Sequence, residues 1–440
     1  MRNLLFLTLV SGLTATAACS DSDTNAPPTA NAVIPAQGFI GRKLRVEVSG
    51  DNTNWTSAAT VSFGDGVTVG TVNVASPTDL FADITISPTA AAGLRDVKVS
   101  DSGVDSTLTQ AFELNNPLTV SIQGTLAQGS IAGITIQNHD FDTPFAASAD
   151  LTVSAGPGVA FNIGSSDAYS ITATMLIDTD AASGAIQVVS GSGAAAVTSP
   201  GDMVAIASRT ATALTAGMAT TGTEMKALDT TLYSFTAGAT PAFLQIAAST
   251  TNTTAKPRAV VLGASGHFAD LIDAAKSVAL VSTASQKMFV IYFDNSGASG
   301  YSFSVKPTVT VPASSVTEAE PNDNKTQATA TTTFPVLFTG TLATDADEDW
   351  IKVVIPTGAA KKIHVITTAP GGLADTELHF VDNNGTELIT GGVDAALGED
   401  ASTAALAAGT YFVRIIPSSL GVAFGYAPAD DPYQALITLE

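Results

Sequence analysis

KLRVEV (residues 43–48), TVSF (60–63), FADITIS (81–87) and RDVKVS (95–100) are the stretches whose reading decides the fold. In each, apolar and polar residues alternate with a period near two, which turns the apolar side chains to one face of a strand. Between them stand clusters of Gly, Asn, Asp and Pro, the residues that tight turns require. The same rhythm continues to the C-terminus, with Thr, Ala, Val, Ser and Gly dominant. Short strands at regular spacing predict an all-β chain of tandem β-sandwiches. Only residues 268–279, and a turn near 400–407, read as helical.

Composition narrows the partners. Of 440 residues, 45% are apolar and 13% charged, the reverse of a disordered acidic tail, so sizeable cores are expected. The net charge of −22 excludes nucleic acid and anionic lipid surfaces as partners. Beyond the N-terminal segment no apolar run approaches the roughly 20 residues that span a bilayer.

Cys19 is the one cysteine of the chain, and it directly follows an apolar stretch, 4–13, and the small residues TATAA (14–18). A lone cysteine in an exported chain forms no internal disulfide, so acylation accounts for it better than stapling. The arrangement resembles the lipobox of bacterial lipoproteins, departing from it at Thr16, where Leu is usual. The resemblance implies a signal peptide at 1–18, a lipid on Cys19 and a flexible tether at 19–32. Several acyl chains make a permanent membrane anchor. Ser20 rather than Asp after the cysteine implies the outer membrane, periplasmic or surface-facing.

Two internal duplications organise the rest. GRKLRVEVSGDNTNW (41–55) and the strands after it are echoed by GSIAGITIQNHDF (129–141) and its followers, each copy with a G-x-G turn and an "AA-x-G" turn before the last strand. This pattern resembles the immunoglobulin-like IPT/TIG family and implies Ig-like domains at 33–114 and 115–192. In the second duplication, TGTEMKALDTTLYSF (221–235) aligns without gaps on TGTLATDADEDWIKV (339–353). The motifs E-P-N-D, D-x-D-x-D-W, a D-N-N-G turn and G-T-Y-F-V-R-I resemble the bacterial pre-peptidase C-terminal (PPC) domain. The resemblance implies two jelly-roll-like PPC-type sandwiches, a divergent one at 193–310 and a PPC domain at 311–440.

The last repeat concentrates acids in EAEPND (318–323) and in DADED (345–349), before Trp350. Hard oxygens on two loops suit Ca²⁺, which takes six to eight of them in flexible geometry. A solvated acidic linker is the other reading. The collagen-binding domain of clostridial collagenases is similar to the PPC family and uses the corresponding linker and loop acids as calcium ligands. Carried over, the resemblance implies Ca²⁺ at Glu318, Glu320, Asn322, Asp323, Asp345, Asp347 and Asp349. In the preceding copy Ala227 and Thr231 replace Asp345 and Asp349, leaving Asp229 and a metal-free expectation.

Catalytic patterns are lacking. His139, His267, His364 and His379 show no paired spacing of the kind that holds zinc, and with Cys19 acylated no thiol nucleophile remains. Trp350 is expected in a core. Trp55, in the loop DNTNWTS (51–57), reads either as packed or as an exposed stacking residue for a sugar or peptide. The sequence therefore predicts a non-catalytic, lipid-anchored envelope protein that binds extracellular protein or polysaccharide, with calcium stabilising its last domain. The alternative is an accessory subunit of a secreted hydrolase or peptidase, or a divergent one, with its chemistry in 193–310.

Overall fold

The fold is that of a computed structural model, which describes residues 27–193, 196–226, 228–263, 266–267, 272–275, 277–294, 296–344, 346–369, 375–391, 398–418 and 431–440. Cys19 and Asp345 lie outside them. The described chain is β throughout, its one helical element a 3₁₀ turn at Ser148–Asp150. None of its helices is long and apolar enough to cross a membrane. The strands build four successive pairs of sheets, and the chain divides into two compact units, one ending at Asn116 and the other Pro117–Glu440.

In the first unit the strand Thr29–Ile34 already pairs with Lys43–Asp51, so ordered structure begins inside the expected tether. Lys43–Asp51 and Asp79–Ile86 run antiparallel, with Val46 on Ala82 and Val48 on Leu80. The period of two read from the sequence sends Val46, Val48, Leu80, Ala82, Ile84 and Ile86 inward. They meet Val97, Val99, Phe112 and Leu114 of the opposing sheet, where Phe63 and Phe112 pack edge to face at 5.1 Å. Each of these Val, Leu, Ile and Phe side chains contributes roughly 1.5–3 kcal/mol on burial.

The second unit opens with sheets built on the antiparallel pair Ser130–Asn138 and Ser170–Ile177, over a core of Ile134, Ile136, Ile171, Met175 and Val188. The strand Val197–Val204 pairs with Gly184–Ser190, so the segment expected to begin the next domain at 193 completes this one. The following two pairs of sheets, Thr212–Thr310 and Ser314–Leu439, share their strand order, the last adding the strand Ser314–Thr317. In both a short strand runs parallel to the one after the duplicated turn, Thr212–Ala213 beside Thr230–Thr236 and Thr329–Thr331 beside Asp349–Ile355.

Three expectations are corrected. The expected helix at 268–279 is, where described, the strands Ile272–Ala275 and Ser277–Ser282. Ser277–Ser282 pairs antiparallel with Ala242–Thr250, burying Val278 and Leu280, and this sheet pairing overrides the helix propensity of Ala279. Near residue 400 the expected helical turn is the strand Asp400–Ser402. Trp350 is half-buried rather than core: its indole N–H donates to Glu348 at 2.9 Å and the Arg414 guanidinium lies over its ring.

Apolar side chains also join neighbouring sandwiches within the second unit. Leu232, Val260, Leu262 and Ile291 cluster with Ile131 and Leu176 of the sandwich before them, and Phe243 clusters with Ile366 and Leu436 of the one after.

Candidate metal centre and candidate binding face

The linker of the last sandwich is pinned by backbone before any acid comes into play. Glu318 N–H donates to Thr339 O at 3.0 Å, and Trp350 N–H donates to Asn322 O at 3.1 Å. This folds 318–322 over the start of the strand Asp349–Ile355. Carboxylate oxygens of Glu318, Glu320 and Asp349 consequently lie within 4.8 Å of one another. Asn322 is fully buried; its amide N–H donates to Asp349 Oδ1 at 2.8 Å. That bond fixes the amide orientation and leaves Asn322 Oδ1 buried without a hydrogen-bond partner, as is Glu318 Oε2.

Tyr433 is the residue sequence reasoning missed. Its hydroxyl donates to the other Asp349 oxygen at 2.7 Å, and it reaches there because Gly340 lies opposite it in the ladder. A Cβ at 340 would stand 2.5 Å from the Tyr433 ring. The G of T-G-T was the available signal, since Gly222 of the other copy makes the same room for Phe303. Phe303 has no hydroxyl, and Thr231 there stands in place of Asp349.

Burial raises the Asp349 carboxyl far above the usual range, with the nearby Glu318 charge adding to it; burial likewise raises Glu318. Three carboxylates and an amide oxygen, without nitrogen or sulfur, form a donor set that suits a hard cation. The remaining expected ligands take other places. Asp347 accepts the Ala343 N–H at 2.6 Å and closes its own turn, as Asp229 does with the Lys226 N–H at 3.0 Å. Asp323 is exposed. His364 and His379 sit in strands beside acids, His364 between Asp400 at 2.6 Å and Glu440 at 2.9 Å.

The third sandwich buries a different acid. Glu224, opposite Tyr301 in the ladder, is fully buried and neither carboxylate oxygen has a hydrogen-bond partner. Burial, then the charges of Asp229 and Asp294, push it up to about 8. Asp294 itself accepts the Tyr301 hydroxyl at 2.5 Å.

Of the aromatic residues described, Trp55 is 8% exposed and part of the first core, its loop folded in by a Trp55 N–H to Pro77 O bond of 3.0 Å. It also lines a cavity of about 250 Å³ with Asn52, Asn54 and Asp101. The exposed rings lie elsewhere: Phe141 and Tyr169, 68% and 36% exposed, meet edge to face at 5.1 Å on two loops of the second sandwich. Those loops are held from within. Asn138 donates to Thr143 O at 2.8 Å, Asp167 accepts the Tyr169 and Ser170 N–H groups at 2.8 Å each, and Asn138 N–H donates to Tyr169 O.

No protein-family model matches the chain, and no curated protein matches it. Among solved structures, it is similar to the Bacteroides ovatus mixed-linkage glucan utilization locus protein SGBP-B in complex with a mixed-linkage heptasaccharide, at 12% identity over 96% of this chain and 98% of that one, with a TM-score of 0.20. It is also similar to the Yersinia pseudotuberculosis adhesin InvE, at 13% identity over 45% and 68% of the two chains and a TM-score of 0.18, and to an ICAM-5 D1–D4 ectodomain fragment, at 10% identity over 86% and 91% and a TM-score of 0.17. At these scores the all-β assignment stands on the strand pairing itself.

Proposed function

We propose that this is a non-catalytic envelope protein, held to the outer membrane by a lipid on Cys19, whose sandwiches bind an extracellular polysaccharide. The observation that carries the binding is the Phe141–Tyr169 pair. Two adjacent rings left in water, on loops already tied by their own hydrogen bonds, offer a stacking surface that loses little entropy on binding. Asp142 and Asp167 in the same loops, with Gln137 at the end of the adjoining strand Ser130–Asn138, are hydrogen-bonding residues of the kind that sugar hydroxyls need. In the last sandwich Glu318, Glu320, Asn322 and Asp349 would hold Ca²⁺. The cation would offset carboxylate repulsion and tie the linker to the sheet. Pull-down of the mature chain on a panel of insoluble polysaccharides tests the binding. Retention should fall at least ~5-fold in Phe141→Ala and Tyr169→Ala, taking the about 1–3 kcal/mol per ring of base–aromatic stacking as the scale. Equal retention of wild type and both variants on every polysaccharide would refute the assignment.

A further inference from the structure

His267 and two acids 87 and 89 positions before it meet where the second and third sandwiches join. Asp178 follows the strand Ser170–Ile177, and its turn is closed by Asp178 N–H to Gly158 O at 2.9 Å and Ala181 N–H to Asp178 O at 3.2 Å. His267 comes after the strand Pro257–Leu262 of the next sandwich and directly after Gly266. Gly266 has φ +77°, and a Cβ there would stand 3.3 Å from the Phe289 ring and against the Thr179 hydroxyl. Glycine is what lets this loop lie on the Asp178–Asp180 turn.

The side chains then converge. His267 Nδ1 is 2.9 Å from Asp178 Oδ2 and 3.7 Å from Asp180 Oδ1, and one donor atom from each of the three lies within 4.8 Å of the others. Ligand atoms ~2.1 Å from a tetrahedral zinc stand about 3.4 Å apart, between the two measured spacings. Small side-chain movements would bring both carboxylates to that distance around one ion. The frame beneath does not need to move. Leu232, Val260, Leu262 and Ile291 pack on Ile131 and Leu176, Thr125 donates to Asp229 at 2.8 Å, and Arg209 donates to Gln128 O at 3.1 Å and to Thr230 O at 2.6 Å.

We propose that Asp178, Asp180 and His267 form a site for a divalent transition metal of the zinc class, clasping the second sandwich to the third. The imidazole nitrogen separates this donor set from the all-oxygen set of the last sandwich, and selects a borderline cation over calcium. Two carboxylates balance the two positive charges. With Asp180 68% and His267 37% exposed, a water fills the fourth position. The metal takes the place of the direct His267–Asp178 hydrogen bond, bridging the two side chains through its own coordination.

The test is Zn²⁺ titration of the full mature chain by calorimetry, with Co²⁺ as a visible-absorption probe. One saturable Zn²⁺ site is expected, together with four-coordinate Co²⁺ absorption. His267→Ala and Asp180→Asn, both at exposed loop positions, should each weaken it at least ~10-fold, since even outer-shell changes cost that much. Asp349→Asn should leave it unchanged. The assignment is overturned if wild type shows no saturable Zn²⁺ binding, if both loop variants bind as wild type does, or if Asp349→Asn abolishes the site. Because this readout involves no polysaccharide, it is independent of the binding assigned to Phe141 and Tyr169.

Discussion

Replacing Glu224 by Gln should stabilise the protein, and increasingly so as pH rises. An ordinary glutamate at 4.5 is held at about 8 in the fold, by burial first and then by Asp229 and Asp294. Folding therefore favours the protonated form. The wild type has its full stability below pH 4.5 and loses it as pH climbs through the window up to about 8. Each pH unit in that window costs ~1.4 kcal/mol, so the whole window costs at most ~5 kcal/mol. Gln keeps the shape and the donor of the neutral acid and titrates nowhere in this range. Urea unfolding of wild type and Glu224→Gln, followed by circular dichroism at pH 5, 7 and 9, reads the difference directly. The gap should be under ~1 kcal/mol at pH 5 and reach several kcal/mol at pH 9. A gap that is the same at pH 5 and pH 9 would show that Glu224 is ionised in the folded protein and refute the reasoning.

Other outcomes follow from the remaining sites. Calcium at a hundred times its dissociation constant should stabilise the wild type by about 2.7 kcal/mol over chelator, and Asp349→Asn should lose most of that gain; equal melting of the wild type with and without chelator removes the calcium assignment. Tyr433→Phe leaves a buried Asp349 oxygen without its donor and should cost about 1–3 kcal/mol, whereas a melt superimposable on wild type would show that bond to be dispensable. His364 is held above its ordinary 6.5 by Asp400 and then Glu440, so its contribution is full below that value and fades as pH rises through the raised one. His364→Gln should thus destabilise more at pH 6 than at pH 9, and a pH-independent difference contradicts it. Cys19→Ser should abolish lipid labelling and release the chain from membranes, and an aqueous-phase wild type in detergent partition would disprove the anchor.

How much of this was legible depended on distance along the chain. Period-two alternation at 43–48 and 81–87 specified the strands because each side chain's face is set by its immediate neighbours. The acids of 318–323 and 345–349 were visible as local runs. Tyr433 was not: it lies 84 positions beyond Asp349, and only the ladder opposite Gly340 brings it there. The same holds for His267, whose lack of paired spacing reflected nothing but its partners lying in another sandwich. Residues 268–279 misled in the opposite direction, since their alanines carry a local helix preference that, where the residues are described, pairing with Pro257–Leu262 and with Ala242–Thr250 overrules. Trp55 sits in a polar loop, yet Gly50 leaves room for its indole, with a Cβ there standing only 2.9 Å from the ring.

The clusters joining Leu232 to Leu176 and Phe243 to Leu436 have a mechanical consequence. Modules strung on bare linkers extend one at a time under tension, each yielding without disturbing the next. In the second unit, tension on one sandwich passes to its neighbour through side chains as well as through the connecting strand. Opening either partner would wet the other's apolar face, so the unit should resist as a bar and give way in larger, rarer steps.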